Sequence, residues 1–280
     1  MPQTCYRHPN RETGVSCSSC GRPICPECMT PTPVGMRCPE CANQRTRAVQ
    51  NPTGTASGFS AFPATVVLIA INVVVYLIEV AKGGGGLGEL SPSIIYEMGG
   101  LFGPAVSQLG DWWRIVTNGF VHVSILHIAF NMYLLFILGR LLEPSIGTAR
   151  FVFLYFASLL AGSYVALLFA PETLSAGASG AIFGVLGATF VIARGRRLDA
   201  IAGQIGILIL INLVFTFSDG QISVGAHVGG LVCGVLCGFV IVAGERGKLG
   251  GGDRRARLAI ELGAMAALGI LSFVLALAVA

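Results

Sequence analysis

The chain has 280 residues, of which 54% are hydrophobic and only 11% charged, and its mean hydropathy is +0.75. This composition excludes an ordinary soluble globular protein and indicates an integral membrane protein. The formal net charge of +4 says little about topology, because orientation depends on where Lys and Arg lie rather than on their total. No basic segment followed by a short apolar stretch opens the sequence, so we expect no cleaved signal peptide.

Seven of the nine cysteines lie before residue 42, and together with one histidine they form pairs at a spacing of three residues. The pairs are Cys5–His8, Cys17–Cys20, Cys25–Cys28 and Cys38–Cys41. Eight such ligands suit two structural Zn²⁺ sites, and metal binding would supply most of the folding free energy of so short a segment. We slightly favour interleaved pairing, first with third and second with fourth, and sequential pairing stays open. A redox array of disulfides is the alternative.

The cysteine pattern over residues 5–41 resembles B-box-type zinc fingers, although it ends in Cys38 and Cys41 where B-boxes usually end in histidines. We therefore predict a zinc-binding module in residues 1–43. Residues 44–62 are rich in Thr, Ser, Gly, Asn and Pro and predict a flexible linker.

A protein partner or a regulatory role is expected for this module. Nucleic acid is not an expected partner, because residues 1–50 carry six arginines against three glutamates and a single aromatic residue, Tyr6. That is a weak electrostatic footprint for binding a phosphate backbone.

Seven apolar stretches follow, each near the length of about 20 residues with which a helix crosses a bilayer. They are residues 64–81, 120–138, 151–170, 174–193, 200–217, 222–243 and 258–280. We predict an all-α polytopic membrane protein with a six-helix bundle in residues 63–244. A basic loop and a seventh helix occupy residues 245–280.

The positive residues are distributed unevenly around these spans. Sixteen of the 18 lysines and arginines fall on one side, and only Lys82 and Arg114 remain for the other. Because positively charged loops stay in the cytoplasm, the N-terminus is expected on the cytoplasmic side of the cell membrane and the C-terminus on the outer side. A cytoplasmic zinc module agrees with reduced cysteines.

The outer segment between the first two spans, residues 82–119, contains the triplet Trp112-Trp113-Arg114. Tryptophans beside an arginine suit the headgroup level of a bilayer. We favour a loop that is partly inserted beside the bundle, and a plain solvated loop is the alternative.

Three spans that all run inward carry unusual polar residues near their outer ends. At about 1.5 Å per residue, His127 lies about 10 Å into the second span, and Ser179 and His227 lie about 8 Å into the fourth and sixth. Polar groups in an apolar setting are costly unless they find partners. Their shared depth predicts a functional site, although each histidine taken singly could be a packing residue.

Glycines predict that the fourth and sixth spans touch. The glycines concerned are Gly180, Gly184 and Gly187 on the fourth span and Gly230, Gly234 and Gly238 on the sixth. His227 precedes Gly230 by three residues and shares its face, so it can reach Ser179. We interpret Ser179 as a nucleophile and His227 as its base. No carboxylate is placed to orient His227, which favours a dyad.

On the second span, His127 and Asn131 are four residues apart and share a face. We assign both, with the backbone N–H of Ser179, to stabilising an oxyanion. His122 lies nine residues before Asn131 and points largely away from it, so it is expected to brace the outer loop. Gly177 is expected to let the chain reverse into the site.

Four separated motifs in residues 62–243 resemble those of the rhomboid intramembrane serine proteases. They are Trp113-Arg114, His122-x4-His127-x3-Asn131, Gly177-Ala178-Ser179-Gly180 and Ala226-His227-x2-Gly230-x3-Gly234. The resemblance implies the same roles for the serine, the histidines and the asparagine. It also implies transmembrane protein substrates, cleaved near the outer end of their helix. Phe183 stands where many members have tyrosine, which removes a phenol hydroxyl.

The fifth span, with Gly203, Gly206 and Asn212, is our candidate gate for substrate entry, and an ordinary scaffold helix is the alternative. A second functional hypothesis is a non-proteolytic membrane adaptor of the same fold that recruits partners through the zinc module. The presence of both Ser179 and His227 argues against it. A transporter is the third hypothesis, and the lack of a charge pair at mid-bilayer disfavours it.

Overall fold

A computed structural model describes residues 3–32, 35–43, 58–83, 88–218 and 222–280. The chain divides into two units, Met1–Ala56 and Ser57–Ala280. We call the first the metal-binding module and the second the membrane bundle. Most of the predicted linker, residues 44–57, lies outside the described residues, and residues 58–61 form a 3₁₀ turn at the start of the membrane bundle.

The metal-binding module consists of short elements joined by turns. Strands β1 and β2 pair antiparallel, β3 and β4 form a second antiparallel pair, and a short helix α1 follows. Their bounds are Gln3–Thr4, Glu12–Thr13, Thr30–Thr32, Gly35–Arg37 and Pro39–Asn43. Ile24 is the one fully buried side chain among its described residues that is not a cysteine. The interior is therefore made mainly of potential metal ligands.

The membrane bundle contains six helices that are long and apolar enough to cross a membrane among the described residues, and a shorter apolar one, α8. The helices are α2 Pro63–Lys82, α6 Ile125–Ile146, α7 Thr148–Phe169, α8 Ser179–Gly195, α9 Asp199–Ser218, α10 Val224–Glu245 and α11 Arg254–Val279. The predicted fold class and the number of seven apolar helices are confirmed. This is a multi-pass membrane protein.

Two helix starts differ from the prediction in a way that matters for the site. The second span begins at Ile125 rather than at residue 120, because Ser124 caps the helix and its hydroxyl accepts the backbone N–H of His127 at 3.3 Å. The fourth begins at Ser179 itself rather than at residue 174, because the preceding segment is turn and extended chain. His127 is thus the third residue of α6 and Ser179 the first of α8.

The segment between α2 and α6 is folded around one buried arginine. It contains short helices α3 Pro92–Glu97, α4 Gly103–Gln108 and α5 Arg114–Thr117. Arg114 is 3% exposed. Its guanidinium donates to the carbonyls of Tyr96 at 2.7 Å and Gly100 at 3.0 Å, pairs with Asp111 and lies over the ring of Trp113. Apolar side chains of the segment also pack with α7 and α11, which excludes a plain solvated loop.

Helices α8 and α10 meet along glycine faces, as predicted. A Cβ on Gly230 or Gly234 would collide with the backbone carbonyl of Gly180 or Gly184, respectively. At Gly180 the nearest atom to an added Cβ is the carbonyl oxygen of Ala226, at 3.1 Å. Backbone-to-backbone contact of this kind needs residues without a side chain on both helices. It brings the beginning of α8 beside the beginning of α10.

Helix α11 is attached to the bundle by a buried ion pair. Glu261 is fully buried, and its Oε2 accepts from Arg150 Nε on α7 at 2.6 Å. Arg257, one turn earlier on α11, lies 3.3 Å from the other oxygen. These charges hold the seventh helix against the bundle.

Candidate active site

Ser179 stands at the N-terminus of α8, after a tight turn. Gly177 has φ +131°, a left-handed conformation that favours glycine, and its N–H donates to Asn118 O at 2.8 Å. The Asn118 side chain is itself held, because its amide donates to Ser163 Oγ at 3.0 Å and to backbone carbonyls. The turn that presents Ser179 is therefore anchored through Asn118, and the left-handed Gly177 reverses the chain as the sequence predicts.

His227 is the fourth residue of α10 and approaches Ser179 directly. His227 Nε2 lies 2.7 Å from Ser179 Oγ. The imidazole is 7% exposed and stacks on the Phe183 ring, with ring centroids 4.2 Å apart and an interplanar angle of 18°. Phe183 therefore packs directly against the imidazole of His227. A hydroxyl within hydrogen-bond reach of an imidazole is the geometry that general-base activation of a nucleophile requires.

His127 lies on the other side of the serine turn. An added Cβ on Gly177 would stand 2.9 Å from His127 Nε2 and 3.7 Å from Ser179 Oγ, so the imidazole faces the turn that carries the serine. Asn131, one turn later on α6, donates one amide hydrogen to His127 O at 2.9 Å. Since the amide carries two hydrogens, the second stays free of that bond. The structure thus brings His127 to the serine turn. Asn131 lies one helical turn further along α6 and is bonded to the backbone of His127.

His122 lies outside the helix, in the chain that leads into α6. It is fully buried, its ring centroid is 5.1 Å from that of His127, and its Nδ1 lies 3.3 Å from Phe120 O. Its backbone N–H donates to the carboxylate of Glu79 on α2, at 3.2 Å. These contacts place His122 at the entry to α6, and its role in bracing the outer loop stays a prediction.

Sequence reasoning missed two of these contacts. Glu79 is a fully buried acid in an apolar span that holds the chain before α6, and buried acids inside spans are a default signal of function. Thr216, near the end of α9, lies 2.7 Å from His227 Nδ1. The short connection between the fifth and sixth spans could have pointed to it, because antiparallel neighbours bring the end of one helix beside the start of the next.

The metal-binding module groups its ligands in the interleaved way. One group is Cys5, His8, Cys25 and Cys28, and the other is Cys17, Cys20, Cys38 and Cys41. In each group the ligand atoms lie within 4.8 Å of one another. The structure confirms the interleaved arrangement: the first ligand pair groups with the third, and the second with the fourth.

The distances within these groups fit a tetrahedral metal. Two thiolates bound to zinc at about 2.3 Å would be about 3.8 Å apart, and Cys20 Sγ and Cys38 Sγ are 3.8 Å apart. His8 Nδ1 lies 3.3 Å from Cys25 Sγ and 3.5 Å from Cys28 Sγ. The backbone N–H of Cys38 donates to Cys17 Sγ at 3.3 Å, and it is the largest of several hydrogen bonds that together lower the pKa of that thiol to about 6. Both groups could hold a metal ion.

The fold and the site together define a polytopic membrane protein with a serine–histidine pair at the start of two touching helices. The family description Rhomboid domain matches residues 109–244. Putative rhomboid protease YdcA of Bacillus subtilis (strain 168) is 32% identical over 138 residues, which are 48% of this chain and 69% of that protein. The chain belongs to the rhomboid family.

Two further relatives carry the same family name. Rhomboid protease GluP of Bacillus subtilis (strain 168) is 33% identical over 189 residues, which are 66% of this chain and 36% of that protein. RHOMBOID-like protein 6, mitochondrial, of Arabidopsis thaliana is 31% identical over 159 residues, which are 54% of this chain and 51% of that protein. The chain thus spans about half, or less, of the length of these two curated relatives.

Proposed function

We propose that the protein is an intramembrane serine endopeptidase with a Ser179–His227 dyad, which cleaves transmembrane protein substrates near the outer membrane face. The observation that carries the proposal is the 2.7 Å contact between His227 Nε2 and Ser179 Oγ. Membership of a family whose relatives are named proteases supports it.

The dyad would work by moving one proton. His227 Nε2 takes the hydroxyl proton of Ser179 as Oγ attacks the carbonyl carbon of the scissile peptide bond. The resulting imidazolium then gives that proton to the nitrogen of the leaving amine as the C–N bond breaks. A water molecule attacks the acyl-enzyme in the same way, with His227 again as base, and frees Ser179 Oγ. Phe183 keeps the imidazole plane fixed through both steps by stacking on it.

The oxyanion that forms in each step needs donors that are in place beforehand. Ser179 is the first residue of α8, so its N–H is among those that have no partner within the helix and carry the positive end of the helix dipole. His127 and the second amide hydrogen of Asn131 are the side-chain donors we assign. Removing one such donor typically lowers the rate by about 10²–10³.

The length of α8 supports cleavage near the outer face. Its 17 residues span about 26 Å, which is less than the hydrocarbon thickness of about 30 Å. With Arg194 and Arg196 at the inner surface, the serine at the other end lies a few ångströms below the outer surface. A substrate helix would have to unwind there for its peptide bond to reach Ser179 Oγ.

The direct test uses purified protein in lipid with a single-span membrane protein that has small residues at the outer end of its helix. We expect cleavage by the unaltered chain and none by Ser179→Ala or His227→Ala. A fluorophosphonate, which reacts with activated serines without needing a transmembrane substrate, should label the unaltered chain and neither variant. Equal cleavage by the chain and by Ser179→Ala would sink the protease assignment.

The alternative is a non-proteolytic adaptor of the same fold that recruits partners through its metal-binding module. If the protein is an adaptor, the fluorophosphonate should not label Ser179. The Ser179→Ala variant should then still bind the protein partner. The short Ser–His distance favours the protease.

For topology, we propose a cytoplasmic N-terminus and an extracytoplasmic C-terminus, supported by seven apolar helices and the uneven distribution of basic residues. A phosphatase that needs disulfides for activity should be active when fused after residue 280 and inactive when fused before residue 1. The reverse result would invert the topology and move the site to the inner face.

For the metal-binding module, we propose two structural Zn²⁺ ions and a protein-binding role that regulates cleavage. The ligand sets and distances described above support zinc. Deleting residues 1–60 should leave the dyad intact but change cleavage of the reporter when the partner is present. Unchanged cleavage of the reporter with the partner present would remove the regulatory role without touching the protease assignment.

A further inference from the structure

The base in a serine–histidine pair works best when a third group orients it, and no carboxylate contacts His227 among the described residues. The group that does contact it is a hydroxyl from a neighbouring helix. Thr216 Oγ1 on α9 lies 2.7 Å from His227 Nδ1. Thr216 is 1% exposed, so water does not compete for this bond.

The hydrogen-bond partners of the Thr216 hydroxyl determine which atom donates in its bond with His227. Thr216 Oγ1 lies 2.7 Å from His227 Nδ1 and also 2.7 Å from the carbonyl oxygen of Asn212, one turn earlier in α9. A hydroxyl has one hydrogen and two lone pairs. A carbonyl oxygen can only accept, so the Asn212 contact takes the Thr216 hydrogen. The bond to His227 must then be donated by Nδ1–H and accepted by Thr216 Oγ1.

This arrangement has a consequence for the other ring nitrogen. In a neutral imidazole only one nitrogen carries hydrogen, and the bond made at one nitrogen sets the state of the other. With hydrogen on Nδ1, Nε2 has a free lone pair directed at Ser179 Oγ, 2.7 Å away. That is the tautomer that can accept the serine proton.

We propose that Thr216 is a positioning residue that keeps His227 in the tautomer able to act as base, so that α9 is part of the catalytic unit. The proposal rests on the proteolytic function put forward above. When His227 takes the serine proton, the bond from Nδ1–H to Thr216 becomes charge-assisted and strengthens. Thr216 therefore stabilises the protonated base as well as orienting the neutral one.

The contact between Thr216 and His227 depends on the position of α9. Of its 20 residues, all within the described part of the chain, α9 buries only Ala202, Ile205 and Thr216. Eleven of its residues are exposed and the other six are half-buried, among them Ile201, Leu208 and Ile209, which pack against the core. Together with α11, α9 is thus the least buried of the long apolar helices. If α9 moves aside to admit a substrate helix, Thr216 leaves His227 Nδ1. The base would be fully oriented again only after α9 returns.

The test compares Thr216→Val, which has nearly the same shape but no hydroxyl, with Thr216→Ser, which keeps the hydroxyl. Thr189→Val is the matched control, because Thr189 is also buried in a span and donates to the carbonyl four residues earlier, at 2.6 Å, but lies away from His227. We expect Thr216→Val to lower kcat roughly ten- to hundred-fold, the value of a hydrogen bond to a charged group, with KM unchanged. Thr216→Ser should recover to within a few-fold, and Thr189→Val should match the unaltered chain.

Each outcome decides something. A Thr216→Val variant as active as the unaltered chain overturns the proposal, as does a Thr216→Ser variant that is no better than Thr216→Val. If Ser179→Ala cleaves as well as the unaltered chain, the proposed function fails instead, so the two failures are distinguishable. Thermal unfolding of each variant separates a folding defect from a catalytic one.

A spectroscopic measurement tests the tautomer directly, without relying on catalytic activity. With ¹⁵N-labelled histidine, a His227→Gln sample identifies the His227 signals by their absence. The unaltered chain should show hydrogen on Nδ1 and an unprotonated Nε2, and Thr216→Val should show a mixture of both tautomers. Hydrogen on Nε2 in the unaltered, unliganded chain would contradict the proposal.

Discussion

The metal-binding module and the membrane bundle differ in what fills their centres. In the module, seven buried or half-buried cysteine and histidine ligands surround Ile24 and leave almost no apolar core among the described residues. In the bundle the interior is apolar, but the lipid outside is equally apolar, so burial by itself gives the helices little reason to associate. The module is therefore expected to depend on metal, and the bundle on close backbone packing and a few buried polar pairs.

Removing metal should produce the largest effect. Structural zinc contributes about 10 kcal/mol or more in small zinc-binding domains, which exceeds anything else that could hold residues 3–43 together. Gently purified protein should contain two zinc ions per chain. After chelation, trypsin should cut rapidly at Arg7, Arg11 and Arg37, while the bundle remains protected.

Adding back zinc in excess should restore protection of the module, which controls for damage by the chelator. Protein that is purified without metal and still resists trypsin at these arginines would show that the module has another source of stability.

Breaking the ion pair that attaches α11 should have the next largest effect. Glu261→Gln removes the fully buried carboxylate that Arg150 and Arg257 face, and removing one partner of a buried ion pair costs up to about 3–5 kcal/mol. The matched control is Glu245→Gln. Glu245 pairs with Arg196, both side chains are 27–29% exposed, and such pairs contribute about 1 kcal/mol or less. Thermal unfolding in lipid should show a large decrease for the first variant and a small one for the second, and equal decreases would contradict the assignment.

The sequence predicts the number of helices well but their starts less well, and the reason is physical. Residues 174–178 are mostly small or apolar, so hydropathy runs through them into α8. The helix begins only at Ser179 because Gly177 adopts φ +131°. At α6 the start depends on the cap by Ser124. Hydropathy reports which residues avoid water, whereas caps and turns depend on individual backbone bonds.

The site shows the same limit. Ser179 and His227 could be paired from sequence because glycine faces on both spans imply contact. For Thr216 the short connection after α9 indicates only a position near the start of α10, and a threonine in an apolar span is usually bonded to its own helix, as Thr189 is. Only the arrangement of α9 beside α10 shows that Thr216 has a second partner.

The smallest effect we predict tests the backbone packing of the bundle. In Gly234→Ala the new Cβ would collide with the carbonyl oxygen of Gly184, and relieving such an overlap costs about 1–3 kcal/mol. Gly203→Ala on α9 is the matched control, because nothing lies within 4 Å of its added Cβ and alanine is favoured over glycine in a helix by up to about 1 kcal/mol. Thermal unfolding should move in opposite directions for the two variants. Because α8 carries Ser179 and α10 carries His227, only Gly234→Ala should also weaken fluorophosphonate labelling, and a similar loss in Gly203→Ala would show that glycine packing is not what aligns the pair.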